Sequence, residues 1–103
     1  MDEKRASRRF CIYQSTFFKT NEPNSIHDCL IHDLSMSGVM IETNQSLQQN
    51  DVITLAIRYG SQVYSEEVQI VRQMRLITLR YGGKFLSESN LEQRMKTISE
   101  LCS

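Results

Sequence analysis

Val52-Ile53-Thr54-Leu55-Ala56-Ile57-Arg58-Tyr59 runs directly into Gly60-Ser61 and then Gln62-Val63-Tyr64. Ile53, Leu55 and Ile57 alternate with Thr54, Ala56 and Arg58, which is the two-residue period of a strand with one buried face. Gly60-Ser61 reads as a short hairpin turn, where glycine supplies the backbone freedom a tight reversal needs. Val52–Tyr59 and Gln62–Gln73 are therefore expected to be successive strands.

The same period extends to both sides. Downstream, Arg75–Leu86 puts Ile77, Leu79, Tyr81, Gly83 and Phe85 in one parity, and Gly82-Gly83 inside that run suggests a bulge or a close backbone approach. Upstream, Gly38–Thr43 alternates Val39 and Ile41 against Met40 and Glu42, and Ser25–His32 puts Cys29 and Ile31 on one face. Phe10–Phe18 is rich in aromatic and β-branched residues, with Phe10, Ile12 and Phe18 in one parity. Thr20–Ser25 holds the only proline, Pro23, between Asn21 and Asn24 and reads as a loop; Asn44–Asp51 is polar and ends in the turn signal Asn50-Asp51.

The tail changes period. Ser89-Asn90-Leu91-Glu92 has the form of a capping box, and Leu91, Met95, Ile98 and Cys102 then recur at helical spacing with Leu101 beside them. A helix is expected over about 89–102, its apolar stripe covering the open end of the sheet. Closure removes exposed strand edges. The expected fold is thus all-β with a C-terminal helix: a six-stranded antiparallel β-barrel closed by one short α-helix.

Composition limits what such a domain does. The chain has 103 residues, enough for one core, and a formal net charge of zero, which points to no nucleic-acid partner. Its charge is uneven, because Lys4, Arg5, Arg8 and Arg9 crowd the start against Asp2 and Glu3, a landing place for an anion. Cys11, Cys29 and Cys102 are widely spaced without a C-x-x-C, so reduced thiols are expected. No signal peptide is readable in the residues and no apolar run is long enough for a membrane span, so a cytoplasmic location is expected. No phosphate-loop glycine pattern, nucleophile–base pair or cofactor loop is readable, and no enzyme is expected. In a strand His27 and Cys29 share a face while His32 takes the other, so no metal site is expected. Glu66-Glu67 reads as a solvated strand edge or turn. The tyrosines read as barrel or surface aromatics, Tyr81 being the one that could line a ligand face.

Two local patterns remain. Arg5-Ala6-Ser7-Arg8-Arg9 is an R-x-x-x-R, and Asp33-Leu34-Ser35-Met36-Ser37-Gly38 is a D-x-S-x-x-G at the junction of the second and third strands. Arginine carries five donors in a planar fork that fits phosphate oxygens and the O6/N7 edge of guanine, and its plane stacks on bases. A carboxylate such as Asp33 accepts from guanine N1 and N2. Ser35 adds a hydroxyl, and Gly38 lets the backbone turn or a ligand approach closely.

These motifs, in this order and about 25 residues apart, resemble the signature of the PilZ domain family. The strand after Arg9-Phe10, the run Gly38-Val39-Met40-Ile41, Ile70-Val71-Arg72 and Tyr81-Gly82-Gly83-Lys84-Phe85 are similar to the family's strands. The resemblance implies a cyclic di-GMP receptor on a six-stranded barrel, with no further cofactor. It implies that Arg5 and Arg9 grip phosphates and guanine faces, Asp33 accepts from a guanine edge, Ser35 supports it and Gly38 permits a tight backbone. Lys4, at the position before the motif, fits a stacked ligand pair, and Arg8 adds a phosphate contact. Residues 1–9 are then a flexible ligand-binding arm and 10–103 the barrel domain. Since the motif begins four residues from Met1, the switch is expected to act on a separate downstream protein, with the chain a monomer or weak dimer. The alternative is a degenerate adaptor that binds partners without the nucleotide. Met36-Ser37 replaces the Pro/Gly-like residues common in the family's turn, leaving its shape open.

Overall fold

The computed structural model describes residues 9–23, 25–75 and 77–101. It forms strands β1 (Phe10–Lys19), β2 (Ile26–Leu34), β3 (Gly38–Glu42), β4 (Val52–Tyr59), β5 (Gln62–Arg75) and β6 (Leu79–Phe85), followed by helix α1 (Leu91–Leu101). All neighbouring strands are antiparallel, and they close into a barrel in the order β1-β2-β3-β6-β5-β4. The expected six-stranded barrel with one C-terminal helix is the observed fold.

Alternation sets the core. Phe18, Ile31, Val39, Ile41, Ile53, Leu55, Ile57, Val68 and Ile70 point inward and are almost fully buried. Tyr59 pairs with Gln62 across the Gly60-Ser61 turn, and Gly60 has a φ of 58°. Asn50 also takes a positive φ, 76°, in the turn before β4, where its N–H donates to Ile70 O. Closure between β1 and β4 rests on few backbone pairs, Phe18 with Leu55 and Lys19 with Thr54. Side chains continue the seam: the Gln14 amide both donates to Arg58 O and accepts from Arg58 N at 2.8 Å, and Thr16 Oγ1 donates to Ala56 O. No described helix is long and apolar enough to cross a membrane.

Several expectations are corrected. Strand β6 starts at Leu79 rather than Arg75, and Ile77 lies in the connection, fully exposed. Of the two roles open to Tyr81, it takes that of a barrel aromatic: it faces the core, and its hydroxyl accepts from Leu47 N at 2.9 Å and donates to Gln45 O. Of the two features the Gly82-Gly83 signal allowed, the close approach is present at Gly83, and the bulge is not in this strand. The bulge lies opposite, in β5 between Ile70 and Arg72, and a Cβ on Gly83 would meet Val68 Cγ1 at 2.4 Å. The capping box does not form. Ser89 Oγ pairs with Ser87 Oγ, and Asn90, preceding the first helical residue, donates from its amide to Ser65 O.

The helix is also rotated from the expected stripe. Arg94 and Thr97 are buried, whereas Met95 is 60% exposed; of the stripe, Ile98 packs on the core. The reason is Glu66. It is fully buried rather than solvated, and Arg94 turns inward to pair with it at 2.6 Å. A buried carboxylate needs a partner more than Met95 needs burial. Cys102 lies outside the described residues.

Candidate functional site

Strict alternation from Cys29 and Ile31 would aim Asp33 into the core. Strand β2 instead shifts register against β3 between Ile31 and Asp33, and β1 shifts against β2 between Cys11 and Gln14. Inward facing resumes at Leu34, so His32 and Asp33 both leave the core, and β2 runs on through Asp33 to Leu34. A bulge re-aims side chains in this way.

Asp33 meets Arg9 there. Arg9 Nη1 donates to Asp33 Oδ1 at 2.6 Å, with side chains 40% and 16% exposed. The first strand's entry and the second strand's exit thus bring Arg9 and Asp33, one residue of each motif, together on the outer wall. Arg5, Lys4 and Arg8 lie outside the described residues.

The other motif residues are spent on the loop itself. Ser35 is buried; its Oγ accepts from Ser37 N at 3.2 Å and Gly38 N at 3.0 Å, while Ser35 N donates to Gly38 O. The closed turn answers the question Met36-Ser37 left open. Gly38 is required by the sheet, since a Cβ there would lie 2.5 Å from the Gly83 carbonyl oxygen of β6. The close approach it permits is that of another strand.

Arg94, unremarked in the sequence, ties this loop to the helix. Nη1 donates to Met36 O at 2.6 Å, Nε and Nη2 bind the Glu66 carboxylate, Nη2 also donates to Ser87 O, and the guanidinium lies 4.3 Å from the Phe85 ring centroid. Beside it, Phe10, Met36, Met95, Ile98 and Ser99 line an apolar groove of ≈ 380 Å³. Two of its walls, Phe10 and Met36, belong to the strand start and the loop that carry the motifs.

Next to Asp33, His32 Nε2 donates to Glu42 Oε1 at 2.6 Å. That bond, with lesser help from the charge of a protonated His32, from Thr78 and from Arg80, lowers the Glu42 carboxyl below its ordinary range against the opposing effect of desolvation. Arg80 Nε is buried without a hydrogen-bond partner among the described residues and lies 3.8 Å from Glu42. Farther along the wall, Phe17, Asp28, Leu30, Glu42, Asn44 and Arg58 help line a cleft of ≈ 540 Å³ that includes neither Arg9 nor Asp33. The Arg9–Asp33 pair therefore lies on the open wall, outside that cleft. Among the described residues no group of three or more His, Cys, Asp or Glu is placed to hold a metal ion; His27 packs on Phe18 instead.

The sequence model of the PilZ domain matches residues 3–102. Among solved structures, the PilZ domain of YcgR from Escherichia coli with c-di-GMP superposes with a TM-score of 0.75 at 18% identity, covering 95% of this chain and 91% of that one. The PilZ domain of CeSA from a cellulose-synthesizing bacterium gives 0.69 at 16% identity over 92% and 95% of the two chains. PlzA of Borreliella burgdorferi in complex with c-di-GMP gives 0.62 at 18% identity, covering 98% of this chain and 38% of that one. No curated protein sequence matches.

Proposed function

The chain belongs to the PilZ domain family, and from that premise we propose that it is a receptor for cyclic di-GMP that performs no chemistry on it. The observation that carries this reading is the Arg9–Asp33 contact of 2.6 Å, which joins one residue of each motif on the wall. The arginine fork serves a phosphate or the O6/N7 edge of guanine, and the carboxylate serves its N1/N2 edge. The similar YcgR and PlzA structures hold c-di-GMP. Ser35 and Gly38 act in this reading by holding the Asp33 loop in shape, and Arg5, with Lys4 and Arg8, adds cations from residues 1–9.

Binding would order that leading segment over the wall, and the signal would pass to a separate protein. The Arg94 bond to Met36 O supports such a route, since it connects the Asp33 loop to helix α1. Phe10 and Met36 in the adjoining apolar groove support it further.

Titration calorimetry with cyclic di-GMP, using cyclic di-AMP and GTP as controls, tests the reading. Saturable heat with cyclic di-GMP alone is expected. Its absence removes the receptor function and leaves the partner-binding adaptor.

A further inference from the structure

Tyr13 has a backbone that does not suit it. Its φ is 49°, in the left-handed region where an aromatic residue is an outlier. It sits in the β1 irregularity between Cys11 and Gln14, opposite the β2 segment that carries His32. The ring gains no burial from this arrangement, because Tyr13 is 63% exposed. Strained backbone that buries nothing points to a use for the side chain where it is held.

What the conformation does achieve is a ring pair. Tyr13 meets His32 edge-on, with centroids 5.6 Å apart and planes at 74°. His32 is fixed from the other side by Glu42 at 2.6 Å. It also directly precedes Asp33, and the β2 bulge turns both out of the core. A braced, exposed aromatic ring is thus carried on β1 four residues after Arg9, paired with the residue that precedes Asp33 on β2. In a T-shaped pair a ring face stays open, and an exposed aromatic face is what a flat base stacks on.

We propose that Tyr13, braced by His32, is the stacking platform for a guanine base of the nucleotide held at Arg9 and Asp33. This rests on the receptor reading above and adds to it a specific contact outside both sequence motifs. Arg9 and Asp33 address the edges and charges of the ligand, and Tyr13 addresses a face.

Calorimetry on four proteins tests it. Tyr13→Phe keeps the ring and should bind as the wild type does. Tyr13→Ala and Tyr13→Asn should lose about 5- to 150-fold in affinity, the usual worth of one base–aromatic stack. Asparagine tolerates a positive φ, so Tyr13→Asn should melt no lower than the wild type while binding less. The chain has no tryptophan, so Tyr13→Trp supplies a single indole that can be excited apart from the remaining tyrosines, and its fluorescence should be quenched with the midpoint measured by calorimetry. Wild-type binding with an unchanged Tyr13→Asn affinity overturns the platform alone. No binding by the wild type overturns the receptor reading and the platform with it.

Discussion

Arg94 Nε lies 2.6 Å from Glu66 Oε2, and both side chains are out of water. One guanidinium thereby joins β5, the Met36 carbonyl of the Asp33 loop, the Ser87 carbonyl and the Phe85 ring. The helix is attached to the barrel by a charge pair where its apolar stripe alone would have been expected to hold it. Tyr64 and Thr97 add a hydroxyl pair at 3.0 Å beside it, and burial pushes the Tyr64 phenol up to about 12.

Breaking such a pair from one side leaves a buried charge alone, which costs about 3–5 kcal/mol. Arg94→Met should lower the urea unfolding free energy by about that amount. Combining it with Glu66→Leu should recover most of the loss, because neither charge then remains buried. A single variant within about 1 kcal/mol of the wild type shows that the pair does not hold the helix.

The strands were legible because alternation is local: Ile53, Leu55 and Ile57 declare their face without a partner. The Asp33 geometry was not, since the bulge that turns it outward exists only in register with β1 and β3. The motif pairing could be read from sequence, but its reason for Gly38 could not, because Gly83 lies on a distant strand. Glu66 and Arg94 are 28 residues apart, and a Glu-Glu run looks solvated until its partner is known. The helix stripe failed for the same reason, as Arg94 rather than Met95 decided the rotation.

The Arg9–Asp33 pair lets the proposed binding role be tested apart from folding. Arg9 and Asp33 form a partly exposed ion pair, worth about 0–1 kcal/mol to the fold. Arg9→Ala and Asp33→Ala should therefore melt within a few degrees of the wild type. Each should weaken cyclic di-GMP by about 5- to 150-fold, given about 1–3 kcal/mol per bidentate contact. Calorimetry reads the affinity, and unchanged values in both variants remove the site assignment.

Gly38 predicts the opposite pattern. A methyl group there would press on the Gly83 carbonyl oxygen at 2.5 Å, and backbone of a paired strand cannot swing aside. Gly38→Ala should cost about 1–3 kcal/mol of stability, seen by thermal or urea unfolding without ligand. A fully stable Gly38→Ala would mean that β3 and β6 separate more easily than their pairing implies.

Glu42 titrates below its ordinary value of 4.5 in the folded chain, chiefly through the His32 hydrogen bond. A carboxyl lowered on folding stabilises the fold above its unfolded value and loses that contribution as pH falls through the folded value. The unfolding midpoints of wild type and Glu42→Gln should therefore differ at neutral pH and converge as the pH drops below about 4.5. A constant gap down to pH 2 would contradict this.

Cys29 and Cys11 should react very differently. Burial, reinforced by the Asp28 carboxylate, pushes the Cys29 thiol up to about 12. Only the thiolate reacts, so at neutral pH about one part in 10⁵ of Cys29 is competent. Cys11 is exposed on β1, two residues from Arg9. Iodoacetamide at pH 7.5 followed by peptide mapping should mark Cys11 in the native chain and Cys29 only as fast as the barrel opens. Urea should accelerate Cys29 labelling in step with global unfolding. Labelling of Cys29 at the Cys11 rate in the native chain would mean that the β1–β2 wall opens locally. Because Arg9 leads into β1 and β2 carries Asp33, such an opening would disrupt the Arg9–Asp33 pair as well.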